Sequence, residues 1–273
     1  MTGKDNAVPK TSGWMMTKEL EKKVKNLPLN KRRHLTSVGY IATKAYKLPA
    51  DNKWHDMMLN DINKYQAERN KNKRSNYEKQ NLPKNVAELK RAAREYKISI
   101  KRIYKKENPT LSELYKVQKW VVLRLITELP LRNDLPTVNI HEKTGNYLDK
   151  SGKTGLKLVM QDFKASDKVG TREIKLSRSV ATVLKNFIVY RKKAGIDHDF
   201  LLSSQNGQRM TKGGYSQMLI KTTNELLGKR VGSRMIRVLA ATEHKDVIDK
   251  VDNLTNKLLH TSKQTRQYIR RGE

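Results

Sequence analysis

The segment from Thr110 to Pro130 limits the possible folds more than any other part of the chain. Thr110 followed by Glu113 is a capping-box pattern that starts a helix. Leu111, Leu114, Val117, Trp120, Val121, Val122, Leu125, Ile126 and Leu129 then place apolar side chains around most of its circumference. A helix of that kind cannot lie on a surface, so other elements must wrap it. Pro130 ends it.

The flanking sequence supplies the wrapping. Downstream, Thr137 to His141 alternates like a strand, and Leu156–Phe163 and Arg172–Leu176 form two further strand-like runs. A polar turn containing Lys164, Lys168 and Gly170 joins the last two, and the three runs predict a small antiparallel β-sheet. Ser177 or Ser179 starts a helix to about Ala194, which Gly195 stops, and Phe200–Leu202 is a short buried piece before an Asn206-Gly207 turn. Thr211 caps a helix to about Leu227, Gly232-Ser233 opens SRMIRVLAAT with Met235, Ile236 and Leu239 inward, and Asp246–Leu259 predicts one more helix. Upstream, Val86–Tyr104 reads as a basic amphipathic helix.

The first part of the chain predicts three short helices with separate apolar stripes. These are Leu20, Val24 and Leu27; Leu35, Val38, Ile41, Ala42 and Tyr46; and Trp54, Met57, Met58, Ile62 and Tyr65. From about 67 to 84 the sequence is polar, aperiodic and ends near a proline, which predicts a linker. The expected protein is mainly α with a small antiparallel β-sheet: a helical domain over 1–80 and a larger α+β domain over 85–273.

Charge narrows the function. The net charge is +31, and residues 1–80 already hold 18 Lys+Arg against 8 Asp+Glu, so the excess is not a tail on a neutral protein. A polyanion contacted along much of the molecule is the matching partner. Lys31, Arg32, Arg33, Lys71, Lys73 and Arg74 are the candidate DNA-binding cations of the first domain. The chain has no cysteine and its six histidines are scattered, so no metal and no cofactor are expected. No apolar run of membrane-spanning length or signal-peptide core occurs, and an intracellular, DNA-associated protein is expected, in the nucleus or the cytoplasm of a host. Gly152-Lys153-Thr154 hints at a phosphate loop, but Tyr147 stands where that pattern needs its first glycine.

Five polar residues fall at element junctions: Arg132 after the central helix, Lys164 on the hairpin, Arg237 within an otherwise apolar helix, and His260 and Tyr268 in the motif LLHTSKQTRQYI. Their order resembles the tyrosine recombinase (integrase) superfamily, including divergent viral and mobile-element members. LRLITELPLRNDLPTVNI resembles the first arginine box with Arg132, and DFKASDKVGTREIKL resembles the lysine-bearing hairpin with Lys164, or Lys168 as the alternative. SRMIRVLAAT resembles the second arginine box with Arg237, and the tail motif supplies His260 and Tyr268. The match runs from about Leu111 to Tyr268, and the basic helical first part fits the family's core-binding domain.

The resemblance implies a catalytic domain that cleaves and rejoins DNA through a 3′-phosphotyrosine at Tyr268, on double-stranded DNA, as a homotetramer holding two sites. Two guanidiniums gripping the nonbridging oxygens favour the transition state, and Lys164 is a plausible acid for the leaving 5′-oxygen. One position departs from the pattern. Arg234 stands where the family usually has histidine, and a guanidinium donates hydrogen bonds but cannot take a proton at neutral pH. Only Ile269–Glu273 follow Tyr268, so an exchange of C-terminal segments between subunits would use another element, deliver the tyrosine-bearing helix itself in trans, or need residues beyond Glu273. The competing readings are a type IB topoisomerase, which shares the tyrosine chemistry, and a basic architectural DNA-binding protein, for which charge alone suffices. A metal-dependent nuclease would need converging carboxylates that the sequence does not offer.

Overall fold

The computed structural model describes residue 13 and residues 17–47, 53–71, 73–150, 155–247 and 249–250. His260, Tyr268, the Gly152-Lys153-Thr154 triplet and most of the predicted helix Asp246–Leu259 lie outside the described residues. The chain divides into two compact units, Met1–Ser75 and Asn76–Glu273.

In the first unit the described residues form α1 (Lys18–Lys25), α2 (Leu29–Ala45) and α3 (Lys53–Asn70). Thr17 caps α1, its hydroxyl oxygen accepting from the Leu20 N–H at 3.3 Å. The predicted helices are present, but α2 turns a different face inward. Val38 and Ile41 are 60% and 65% exposed, whereas Thr36, Gly39 and Thr43 are buried. Two contacts set that rotation. Gly39 packs under the indole of Trp54, where an added Cβ would stand 2.4 Å from Cε3. Arg32 grips Asp61 of α3, with Nε 2.9 and 3.0 Å from the two carboxylate oxygens. The Thr36 hydroxyl donates to the carbonyls of Arg32 and Arg33, and the Thr43 hydroxyl donates to that of Tyr40. Small and internally bonded polar residues therefore make the α2–α3 seam, and of the predicted apolar stripe on α2 Val38, Ile41 and Tyr46 are exposed and Leu35 and Ala42 half-buried.

That seam predicts a large effect from one methyl group. Gly39→Ala gains about 1 kcal/mol of helix propensity but forces a ring in a filled site to move, an overpacking cost of about 3 kcal/mol. The expected net loss is about 2 kcal/mol. Hydrogen exchange on the full chain should show faster exchange across α2 and α3 and unchanged protection over Leu111–Ile126. Unchanged exchange in α2 would mean that the seam is looser than described.

The second unit opens with α4 (Asn76–Asn81), which lies inside the stretch expected to be a linker. α3 reaches Asn70, so the two helices end and begin within the expected linker. Glu78, Leu82 and Pro83 are buried. Specific polar contacts hold α4: the Tyr77 hydroxyl donates to the Arg230 carbonyl at 2.9 Å, and the Asn81 side-chain oxygen accepts from the Arg230 N–H at 2.8 Å. Hydrophobic periodicity carries no trace of such contacts. The predicted helix Val86–Tyr104 is α5 (Val86–Ser99), followed by a separate 3-10 turn at Ile103–Lys105.

Central helix α6 (Leu111–Ile126) has the expected capping box, and nine of its residues are buried. Around it stand α5, α8 (Arg178–Lys193) and α9 (Lys212–Leu227). Ser177 and Thr211 cap α8 and α9, and Gly195, at φ +75°, turns the chain away after α8. The last described long helix is α10 (Ser233–Glu243), with Met235, Ile236 and Leu239 buried.

The sheet has four strands in the order β1 (Val138–Asn139), β2 (Asn146–Asp149), β3 (Lys157–Met160) and β4 (Arg172–Lys175). β2, β3 and β4 are antiparallel, but β1 pairs parallel to β2, so the small sheet is mixed where an antiparallel one was expected. β2 lacks the apolar alternation that marks a strand; the Asn146 side chain fixes it. Its amide donates to Thr137 Oγ1 and the Asp162 carbonyl, and its oxygen accepts from the N–H groups of Gln161 and Asp162. β1 does not alternate either: Val138, Asn139 and Ile140 are all buried, and the piece around Leu201 pairs with its other edge. There the Leu201 N–H donates to the Val138 carbonyl at 2.8 Å.

Candidate active site

The loop after α6 and the first turn of α10 are tied together at one point. Gly232, the residue before α10, has no side chain to cap the helix, and Ser233 instead donates its hydroxyl to the Asn133 side-chain oxygen at 2.7 Å. This bond fixes the Arg132–Asp134 loop against the helix that carries Arg234 and Arg237. It also leaves the first N–H groups of α10 without a side-chain acceptor, an arrangement suited to an anion.

Arg237 lies one turn into α10, among buried Met235, Ile236 and Leu239. Its Nε is buried with no hydrogen-bond partner. Burial lowers the proton affinity of this guanidinium, and the positive charges of Arg132 and Arg234 lower it further, with Asp134 partly opposing them. Three guanidiniums therefore act on one another, and one has an unsatisfied buried donor. Such a cluster is unfavourable until an anion joins it.

Two carboxylates stand beside it, and neither bonds Arg237 Nε. Asp134 is buried and stands 3.3 Å from Lys212 Nζ in the first turn of α9. Glu78 Oε1 lies 3.2 Å from Arg234 Nη2. Tyr215, one turn beyond Lys212, is wholly buried with an unpartnered hydroxyl; burial and then Asp134 push its pKa up. A raised pKa is the opposite of what a tyrosine nucleophile needs. Sequence reasoning missed Asp134, Lys212 and Glu78. Asp134 sits two residues from Arg132 and could have been flagged, whereas Glu78 was hidden in the supposed linker.

The structure thus brings together Arg132, Arg234 and Arg237. Lys164 and Lys168 are exposed on the connection between β3 and β4, with Lys168 in α7 (Ser166–Val169). Among the described residues no hydrogen bond or ion pair joins either lysine to the arginine cluster. In the first unit Lys31, Lys73 and Arg74 are exposed, and Lys71 is exposed and paired with Glu68. Arg33 lies over the Tyr65 ring at 3.9 Å. Arg32 is engaged inside the unit: Asp61 and the Lys25 carbonyl occupy its Nε, Nη2 and Nη1.

Comparison of the sequence with models of known protein families and with curated proteins finds no match. Among the described residues no helix is long and apolar enough to cross a membrane.

Proposed function

We propose that the chain is a tyrosine recombinase of the integrase type, which cleaves and rejoins double-stranded DNA through a phosphotyrosine on Tyr268. The observation that carries this reading is the cluster of Arg132, Arg234 and Arg237 at the uncapped start of α10, with the buried Arg237 Nε awaiting an acceptor. A phosphodiester whose nonbridging oxygens gain charge supplies that acceptor. The order of Arg132, Lys164, Arg237, His260 and Tyr268 along the chain supports the same reading. In this scheme Arg132 and Arg237 grip the phosphate, Lys164 from the β3–β4 connection protonates the leaving 5′-oxygen, His260 donates to the phosphate, and Tyr268 attacks. Two duplexes exchanging four strands call for a homotetramer, working on DNA inside a cell.

The test is a denaturing-gel assay for covalent protein–DNA adducts on nicked suicide duplexes drawn from the element's own ends, in buffer with chelator. The wild-type chain should yield an adduct, and Tyr268→Phe should yield none. The charge of +31 independently favours a basic architectural DNA-binding protein, and tight binding without any adduct would favour that second reading.

A further inference from the structure

We propose that Glu78 is a positioning residue: it holds Arg234 in place for strand cleavage, and the Glu78–Arg234 pair stands where the resembled family uses a histidine. This inference rests on the recombinase reading.

Arg234 and Arg237 are three residues apart on α10 and share a face. Arg234 is 77% exposed, and a long side chain that free loses much rotamer entropy when it docks on a phosphate. Its partner is different in kind. Glu78 is only 8% exposed and sits on a helix pinned from both sides of it, by Tyr77 to the Arg230 carbonyl and by Asn81 to the Arg230 N–H. Lys229 adds a 2.8 Å bond to Glu88 at the start of α5, so the segment just before α10 is fastened to α4 and α5 at successive residues. The Glu78 carboxylate is thus a fixed point against which a mobile guanidinium is held.

The contact occupies Nη2 of Arg234 and leaves its other donors available to an anion. It also offsets part of the repulsion among the three arginines. A carboxylate held beside a guanidinium is a poor base, so the pair does not replace a histidine's proton transfer. It supplies instead a pre-oriented donor for the charge that develops on the phosphate.

The experiment compares single-turnover cleavage of the suicide duplex by wild type, Glu78→Gln, Arg234→Ala, Arg234→Lys and the Glu78→Gln/Arg234→Ala double variant, with duplex affinity measured at the same salt. Glu78→Gln should slow cleavage at saturating protein about tenfold and leave duplex affinity within about twofold. The double variant should be no slower than Arg234→Ala, because both changes remove one device. Arg234→Lys, at an exposed site that does not disturb folding, should be as slow as Arg234→Ala, since an ammonium cannot hold the carboxylate and present a second planar donor edge. Multiplicative losses in the double variant, a wild-type rate for Glu78→Gln, or a wild-type rate for Arg234→Lys would each overturn the proposal while leaving the recombinase reading intact. No adduct from the wild-type chain would instead remove that reading, and this inference with it.

Discussion

On the proposed recombinase reading, Arg237→Ala is expected to lower single-turnover cleavage by about 10³-fold, the upper range for removing one preorganised donor from a developing oxyanion, and to leave the DNA-free protein at least as stable as its parent. The two halves of this expectation come from one observation. The guanidinium of Arg237 sits among apolar side chains with its Nε buried and unpartnered, and Arg132 and Arg234 depress its proton affinity. An unsatisfied buried donor costs roughly 1–3 kcal/mol, which the substitution recovers and which offsets the lost packing of the side-chain stem. Arg237→Lys should be nearly as inactive, because a point charge cannot present two parallel donors to a phosphate. Thermal melting without DNA, read beside cleavage, separates the alternatives. Normal cleavage by Arg237→Ala would remove Arg237 from the chemistry. A fall of several degrees in Tm with cleavage retained would make it a structural cation.

Where the sequence was legible, local chemistry decided the outcome. The capping box at Thr110, the caps at Ser177 and Thr211, and the inward face of α10 at Met235, Ile236 and Leu239 follow from residues within a turn or two of each other. Arg237 could be singled out because a guanidinium inside an apolar helical pattern conflicts with its neighbours. The failures have the opposite character. The rotation of α2 depends on Gly39 meeting Trp54 and Arg32 meeting Asp61, pairs 15 and 29 residues apart. α2 therefore exposes Val38 and Ile41 of its most apolar stripe, contrary to what periodicity predicts. Likewise β2 rests on the four hydrogen bonds of the Asn146 side chain, and α4 on bonds to Arg230, 149 residues or more away. Arg234 was visible only as a departure from a pattern; its partner Glu78 lay in a stretch that composition marks as linker.

Gln118 shows the same limit inside the best-predicted element, and its replacement should have the largest effect on stability. It is fully buried in α6, amid side chains whose pattern specifies an apolar position. Its amide donates to the Ser203 carbonyl at 2.7 Å, and its oxygen accepts from the Ser203 N–H at 2.8 Å, so one side chain satisfies both backbone groups of a residue that is itself buried. Met218 of α9 lies 3.7 Å from the same amide, which links α6 and α9 through this site. Gln118→Leu keeps the volume and strands both Ser203 groups, at about 2 kcal/mol each, so the expected loss is about 4 kcal/mol. In a unit of this size that corresponds to roughly 8–16 °C in Tm. A melt within about 2 °C of the parent would show that Ser203 finds other partners. Gln118→Glu tests the hydrogen bonds more directly. Its carboxylate would be buried among apolar groups, raising its folded pKa above the unfolded value near 4.3. Stability is then lowest at neutral pH and recovers as pH falls through the raised folded pKa, because the protonated acid can again donate to one Ser203 group and accept from the other. Gln118→Leu has no proton to gain and should show no such recovery, so the pH dependence of the difference between the two variants isolates the pair of hydrogen bonds from the packing around them.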